Sequence, residues 1–256
     1  MSVSSAQGGR ILTPKKWSSH NKGYLYGTDC SNYEKYRLAR EYIKEKGFCD
    51  DSKFDHTLDC FYLENNCHIE KRGGHRYLRP SLCAKMVFKN SVSVFNDTSW
   101  LYSYHGTQIK NVKSILTNGL TYPGYSKRIQ IKANHGSRYG PGVYTSKLPL
   151  YAQLYAECDQ WRGKYVQVIL MVRQKPSSIT QCGSEGCYTA NMIGRTDIHQ
   201  LYGGGISSDE VQFVTTVVEQ NNIIQAMLIK IHDQKPDKPG GEYHDIARIL
   251  DSIKSN

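Results

Sequence analysis

Apolar side chains recur at helical spacing in only a few places along this chain, and at strand spacing in many more. Tyr36, Ala39, Tyr42 and Ile43 fall on one face at intervals of three and four residues, which predicts a helix over residues 31–46. Ser31 followed by Glu34 forms a capping box at its start, and Gly47 suits the position just past its end. Val112, Ile115 and Leu116 predict a second helix over 111–118, stopped by Gly119. Pro149 fits the first turn of a third helix running to about residue 157. A last amphipathic segment covers 246–253.

The strand pattern is more extensive. Between residues 54 and 95 the apolar runs are short, and Gly73-Gly74 between HIEKR and HRYLR predicts a hairpin over about 67–80. Short strands are expected at 100–104, 143–146, 211–216 and 224–231. YVQVILMVR at 165–173 is an almost continuous apolar run, the pattern of a strand buried on both faces. Residues 174–209 are rich in glycine and serine and read as one long connection, a length usually tied to function. Strands outnumber helices after residue 90 without alternating regularly with them, so the expected class is α+β. The chain divides on this reading into an N-terminal α/β extension of unassigned role (1–95), a main domain (96–232), and a linker with a short helix (233–256).

Composition adds bounds rather than an identity. A chain of 256 residues is long enough to bury a real core, and 39% hydrophobic content fits a folded protein. The net charge of +10 permits a phosphate-bearing partner, nucleic acid included, without requiring one. No run of five basic residues occurs; the densest group is Lys71, Arg72, His75, Arg76 and Arg79. No stretch approaches the roughly twenty apolar residues that span a bilayer, and the N-terminus lacks a signal-peptide core. The expected setting is intracellular, cytoplasmic or nuclear, with no membrane partner. The eight cysteines form no C-x-x-C pair and are expected to be thiols. The Cys60, Cys67, His68, His75 and Cys83 group matches no common zinc spacing, so no metal site is expected.

The candidate chemistry lies between Tyr104 and Ala156. A glycine directly after a strand-end histidine, as in His105-Gly106-Thr107, lets a flat ligand approach the backbone, whose N–H and C=O can hold a carboxamide. Tyr144 and Tyr155, eleven residues apart with one helix between them, can offer rings to the two faces of such a group. His105 and Thr107 can bond sugar hydroxyls. Each residue alone has a plainer explanation, since a histidine beside a glycine is commonly structural and a strand tyrosine is commonly core. The joint order is more informative than its parts.

In that order the chain resembles the catalytic domain of the poly(ADP-ribose) polymerase-like, diphtheria-toxin-like ADP-ribosyltransferases, over roughly residues 100–231. The family's His-Gly-Ser/Thr motif stands here as His105-Gly106-Thr107, and its following helix as NVKSILTNGL. Its Gly-x-Gly-Ile-Tyr motif stands as Gly140-Pro141-Gly142-Val143-Tyr144, and its second stacking tyrosine as Tyr155. Where the family often has a serine three residues before that tyrosine, this chain has Ala152. The family's third motif is a glutamate opening a late strand. Anchored on the closing strand IIQAMLIKI, that glutamate is Glu210, ahead of Glu219 and Asp209.

The resemblance implies a fold of two packed, mostly antiparallel sheets with short flanking helices. It implies an enzyme that uses NAD as co-substrate and transfers ADP-ribose to an acceptor with release of nicotinamide. The acceptor is expected to be protein, with single rather than chain addition, and DNA or RNA as the alternative. Gly106, Tyr144 and Tyr155 would hold the nicotinamide, His105 and Thr107 the adenosine-side ribose, and Glu210 would be catalytic with His105 and Tyr144. Two other readings are kept: an RNA 2′-phosphotransferase of the same architecture, and an inactive module that binds NAD or ADP-ribose.

Overall fold

The apolar run at 165–173 lies at the middle of the molecule in this computed structural model, which describes residues 30–62, 69–91, 93, 97–122, 124, 140–153, 155–183, 212–215 and 221–236. In chain order the elements are α1 (Cys30–Lys46), β1 (Cys60–Tyr62), β2 (Ile69–Arg72), β3 (His75–Leu78), β4 (Cys83–Val87), β5 (Leu101–Gly106) and α2 (Ile109–Asn118). There follow β6 (Val143–Ser146), α3 (Pro149–Gln153), β7 (Cys158–Trp161), β8 (Lys164–Gln174), β9 (Ile179–Gly183), β10 (Gln212–Thr215) and β11 (Asn222–His232). Among the described residues, nine strands form one sheet in the order β1-β4-β11-β8-β5-β6-β10-β9, with β7 pairing β8, and β2-β3 form a separate hairpin. Every described pairing is antiparallel. The class is therefore α+β, with few helices.

The period-2 pattern of β8 explains its place. Val166, Val168, Leu170 and Val172 face one core, with Tyr36, Ala39, Tyr42 and Ile43 of α1 and Val112 of α2. Ile169 and Met171 face a second core containing Tyr77, Tyr102, Tyr104 and Ala152. Both faces of β8 are covered, as a near-continuous apolar run requires. The sheet does not stay flat. Gln174 of β8 accepts hydrogen bonds from the hydroxyls of Ser103 and Thr145 and donates to Thr215 Oγ1, 3.0 Å away. Those partners sit on β5, β6 and β10. One side chain reaches two strands beyond its neighbour only where the sheet folds over. The fold-over coincides with the β5–β6 junction, which has the single register pair Tyr104–Ser146.

Several boundaries differ from the sequence reading. α1 starts at Cys30, and the side chain of Ser31 lies outside those described. α3 stops at Gln153 rather than near residue 157, because β7 begins at Cys158. β7 and β8 are joined by Arg162 and Gly163, both at positive φ (48° and 72°), the backbone of a tight two-residue hairpin. The connection expected at 174–209 is not wholly irregular, since β9 occupies Ile179–Gly183. Residues 1–29 and the helix expected at 246–253 lie outside the described residues.

The segment read as an N-terminal extension contributes to the same sheet and core as the rest. β4 pairs β11, and Tyr42 of α1 donates its hydroxyl to Asp159 Oδ2 at 2.9 Å. Arg162 forms ion pairs with Glu41 and Glu45 of α1 at 2.9 and 2.7 Å. The expected hairpin is present as β2-β3, turning at Gly73 and Gly74, both at positive φ.

Candidate functional site

β5 and β6 share one register pair and then part, and the two sequence motifs meet where they do. His105 Nδ1–H donates to the backbone carbonyl of Tyr144 at 2.8 Å, across 39 residues of chain. A carbonyl can only accept, so Nδ1 carries the proton. Burial pushes the His105 imidazole below the ordinary histidine range, partly offset by the Tyr144 bond. The ring is then neutral near pH 7, and Nε2 is left as an acceptor.

Gly106 is required by its surroundings. A Cβ on this residue would stand 1.7 Å from the backbone oxygen of Ala152 in α3. The space above the glycine is taken by helix backbone, so its lack of a side chain is explained by packing, and the close ligand approach expected from sequence is not needed to account for it. Thr107 follows and is buried. Its hydroxyl accepts from Asn111 Nδ2 at 3.3 Å, and its carbonyl accepts from the Glu157 N–H at 3.2 Å. Gln108 holds the cap position of α2 but supplies no side-chain cap. Glu157 Oε2 takes that role from afar, accepting from Ile109 N–H at 2.8 Å. A carboxylate at a helix N-terminus is electrostatically favourable.

On the other strand, Gly142 is also sterically confined: a Cβ there would lie 2.5 Å from Val214 Cγ1. The Tyr144 hydroxyl donates to the Gly140 carbonyl at 2.7 Å, and Gly140 sits at φ 86°. The Gly-x-Gly-x-Tyr motif is thus a self-tied turn, clasped by its own tyrosine. Tyr155 lies just past α3, half-buried, with its hydroxyl 3.2 Å from that of Tyr151 and the two rings 5.6 Å apart.

The structure brings His105, Gly106 and Thr107 together with Tyr144 through the 2.8 Å bond, and ties α3 and Glu157 to the same loop. Glu210, Glu219 and Asp209 lie outside the described residues. The strand that opens two residues after Glu210, β10, pairs β6 with Val214 opposite Tyr144. Sequence reasoning missed Glu157, Asn111 and Tyr151. Asn111 had a local signal, four residues after Thr107 on a helix. Glu157 had none, because its cap spans 48 residues.

Chemically, this junction offers a neutral imidazole acceptor, a threonine hydroxyl and two half-buried tyrosines. That set suits a ligand with hydroxyls and a flat ring. The Glu157 carboxylate is committed to a helix terminus. Other reactive types are poorly placed to act: burial pushes the Cys83 thiol up to about 12 and the Cys49 thiol to about 11, so neither is a ready thiolate. No group of three or more potential metal ligands occurs among the described residues, and none of their helices is long and apolar enough to cross a membrane. No protein-family model matches the chain, and no curated protein matches it in sequence.

Proposed function

We propose that this chain is an NAD-dependent ADP-ribosyltransferase, with the sheet architecture of that family, which moves one ADP-ribose at a time to an acceptor expected to be protein. The reading rests on one observation above the rest. The His105–Tyr144 bond joins the His-Gly-Thr and Gly-x-Gly-x-Tyr motifs at the point where the sheet parts. A histidine held neutral with Nε2 open is suited to accept a ribose hydroxyl. Tyr144 and Tyr155 would contact the nicotinamide ring, and the Gly106 backbone its carboxamide.

In the reaction the bond from the ribose anomeric carbon to nicotinamide breaks, and the pair leaves with nicotinamide. The acceptor nucleophile bonds that carbon and gives up its proton. Positive charge grows on the ribose in between, and a fixed carboxylate stabilises it more than it stabilises the ground state. Glu210 is assigned that role from its place in the sequence.

The test is incubation of the purified chain with labelled NAD and protein, RNA and DNA acceptors. Nicotinamide release and the mass of the labelled species are the readouts. Glu210→Ala is expected to lower the rate by on the order of 10²–10³, as for loss of one preorganised electrostatic partner. His105→Ala is expected to weaken NAD binding first. Wild-type transfer by the Glu210 variant, or unchanged NAD affinity in the His105 variant, removes the corresponding role.

A further inference from the structure

Two segments meet at the β5–β6 junction, and they are held in different ways. The end of α3 is fixed to the sheet by a buried polar network. Gln153 Nε2 donates to Gln167 Oε1 at 2.8 Å, Lys230 Nζ donates to Gln153 Oε1 at 2.7 Å, and Gln167 Nε2 donates to the Ala156 carbonyl at 3.0 Å. All three side chains are buried. The N–H groups of Tyr155 and Ala156 then close onto the Ala152 and Gln153 carbonyls at 3.1 and 3.0 Å. The Tyr155 ring therefore projects from a fixed backbone.

The turn from Thr107 to Ile109 is held less well by its own residues. Gln108, at the cap position of α2, makes no side-chain cap, and its Oε1 is buried without a hydrogen-bond partner. The first turn of α2 carries no acidic residue. Glu157, two residues beyond Tyr155, supplies what is missing. Its N–H donates to the Thr107 carbonyl at 3.2 Å, and its Oε2 accepts from the Ile109 N–H at 2.8 Å. One residue thus grips the turn at both ends. Asn111 bonds the Thr107 hydroxyl at 3.3 Å, so movement of the first turn of α2 carries Thr107 with it. Without the Glu157 carboxylate the Ile109 N–H is left to water, and an uncapped first turn loosens.

We propose that Glu157 is a positioning residue of the NAD site, which holds Thr107 and the start of α2 in a fixed place relative to the Tyr155 ring. The role rests on the transferase reading, because its ligand is NAD. Glu157 acts through Thr107 and Ile109, and its carboxylate stays on the helix. A ligand that must touch two segments loses affinity in proportion to the time they spend out of place.

The experiment measures NAD affinity of the full chain by calorimetry, KM and kcat for nicotinamide release, and Tm. Glu157→Ala is expected to weaken NAD binding on the order of fivefold, the effect of one lost cap on the competent population, and to raise KM with little change in kcat. Glu157→Gln keeps an oxygen that can accept from Ile109 and is expected to recover most of that loss. Ile109→Pro removes the donor instead. Proline suits the first helical position, and Gln108, at φ −69° and ψ 144°, already has the backbone that precedes proline. Its NAD affinity is expected to fall as in Glu157→Ala, and that of the double variant to fall no further. Asp50→Ala is the control. It deletes another carboxylate cap, on the Ser52 N–H at 2.8 Å just after α1, and is expected to leave NAD affinity unchanged. Wild-type affinity in Glu157→Ala, with NAD bound by the parent chain, overturns the positioning role and leaves the transferase reading in place. An equal loss in Glu157→Ala and Asp50→Ala also overturns it, since the effect would then be one of stability alone. Failure of the parent chain to bind NAD overturns both.

Discussion

Gly106 and Gly142 each stand beside a motif residue, and each is hemmed in by a different kind of neighbour. A Cβ at 106 strikes helix backbone at 1.7 Å, whereas a Cβ at 142 strikes the end of a valine at 2.5 Å. Backbone cannot yield as a side chain can. Gly142→Ala is expected to cost about 1–3 kcal/mol, the usual range for overpacking, and to lower Tm by roughly 2–10 °C. Gly106→Ala is expected to exceed that range or prevent folding, and thermal unfolding of the pair checks the order. His105 supplies a second test at this scale. Its pKa lies below the ordinary 6.5, so the neutral acceptor persists as pH falls through 6.5 and is lost only below. NAD affinity measured by calorimetry should therefore be flat from pH 8 to about 6.5 and weaken under more acid conditions. A midpoint near or above 6.5 would falsify the acceptor role. The same sign applies to stability, since the unfolded chain takes up the proton first.

Among the elements, α1 was legible in the sequence because its apolar face has a clear 3.6-residue period, and Tyr36, Ala39, Tyr42 and Ile43 are all buried. The segment after it was not legible, because its order comes from charge pairs across the chain. Asp59 is buried, accepts from the Tyr36 hydroxyl at 2.9 Å and Val87 N–H at 2.7 Å, and pairs with His56 Nδ1 at 2.8 Å. His56 Nε2 faces Asp51 at 3.2 Å, with Arg40 of α1 bonded to the same carboxylate and the Phe54 ring alongside. The hydrogen bond to Asp59 raises the His56 pKa, with opposing effects from burial and Arg40. A raised histidine pKa gives stability that is complete below about 6.5 and lost as pH rises through the folded value. Urea unfolding of wild type against His56→Gln should therefore show a difference that is larger at pH 6 than at pH 8. A difference that grows with pH would reverse the assignment. β7 was missed for a related reason. Its tight turn uses Arg162 at positive φ, and arginine carries no turn signal of its own.

For the whole molecule, the joint between the sheet halves depends on Gln174. Its amide reaches Ser103, Thr145 and Thr215 at once, and all four residues are buried. Gln174→Leu would leave three hydroxyls without this partner, each worth roughly 1–3 kcal/mol if unsatisfied. Loss of about 2 kcal/mol or more of unfolding free energy is expected, with an unchanged denaturant m value if the fold survives. Loss of less than about 0.5 kcal/mol, the level of an ordinary surface change, would remove Gln174 from the joint.

Read alone, the sequence determined the helical faces, the hairpin at Gly73-Gly74, the doubly buried β8 and the α+β class, because each is written in residues close along the chain. It also marked His105, Gly106, Thr107, Tyr144 and Tyr155 as a set. Only the tertiary structure decided that His105 bonds the Tyr144 backbone, that Ala152 rather than open space lies against Gly106, and that Glu157 caps α2. It likewise decided that α1, β1 and β4 share the core of the rest. These are contacts between segments tens of residues apart, fixed by how the sheet folds over at β5 and β6, and no local pattern of side chains encodes that crossing.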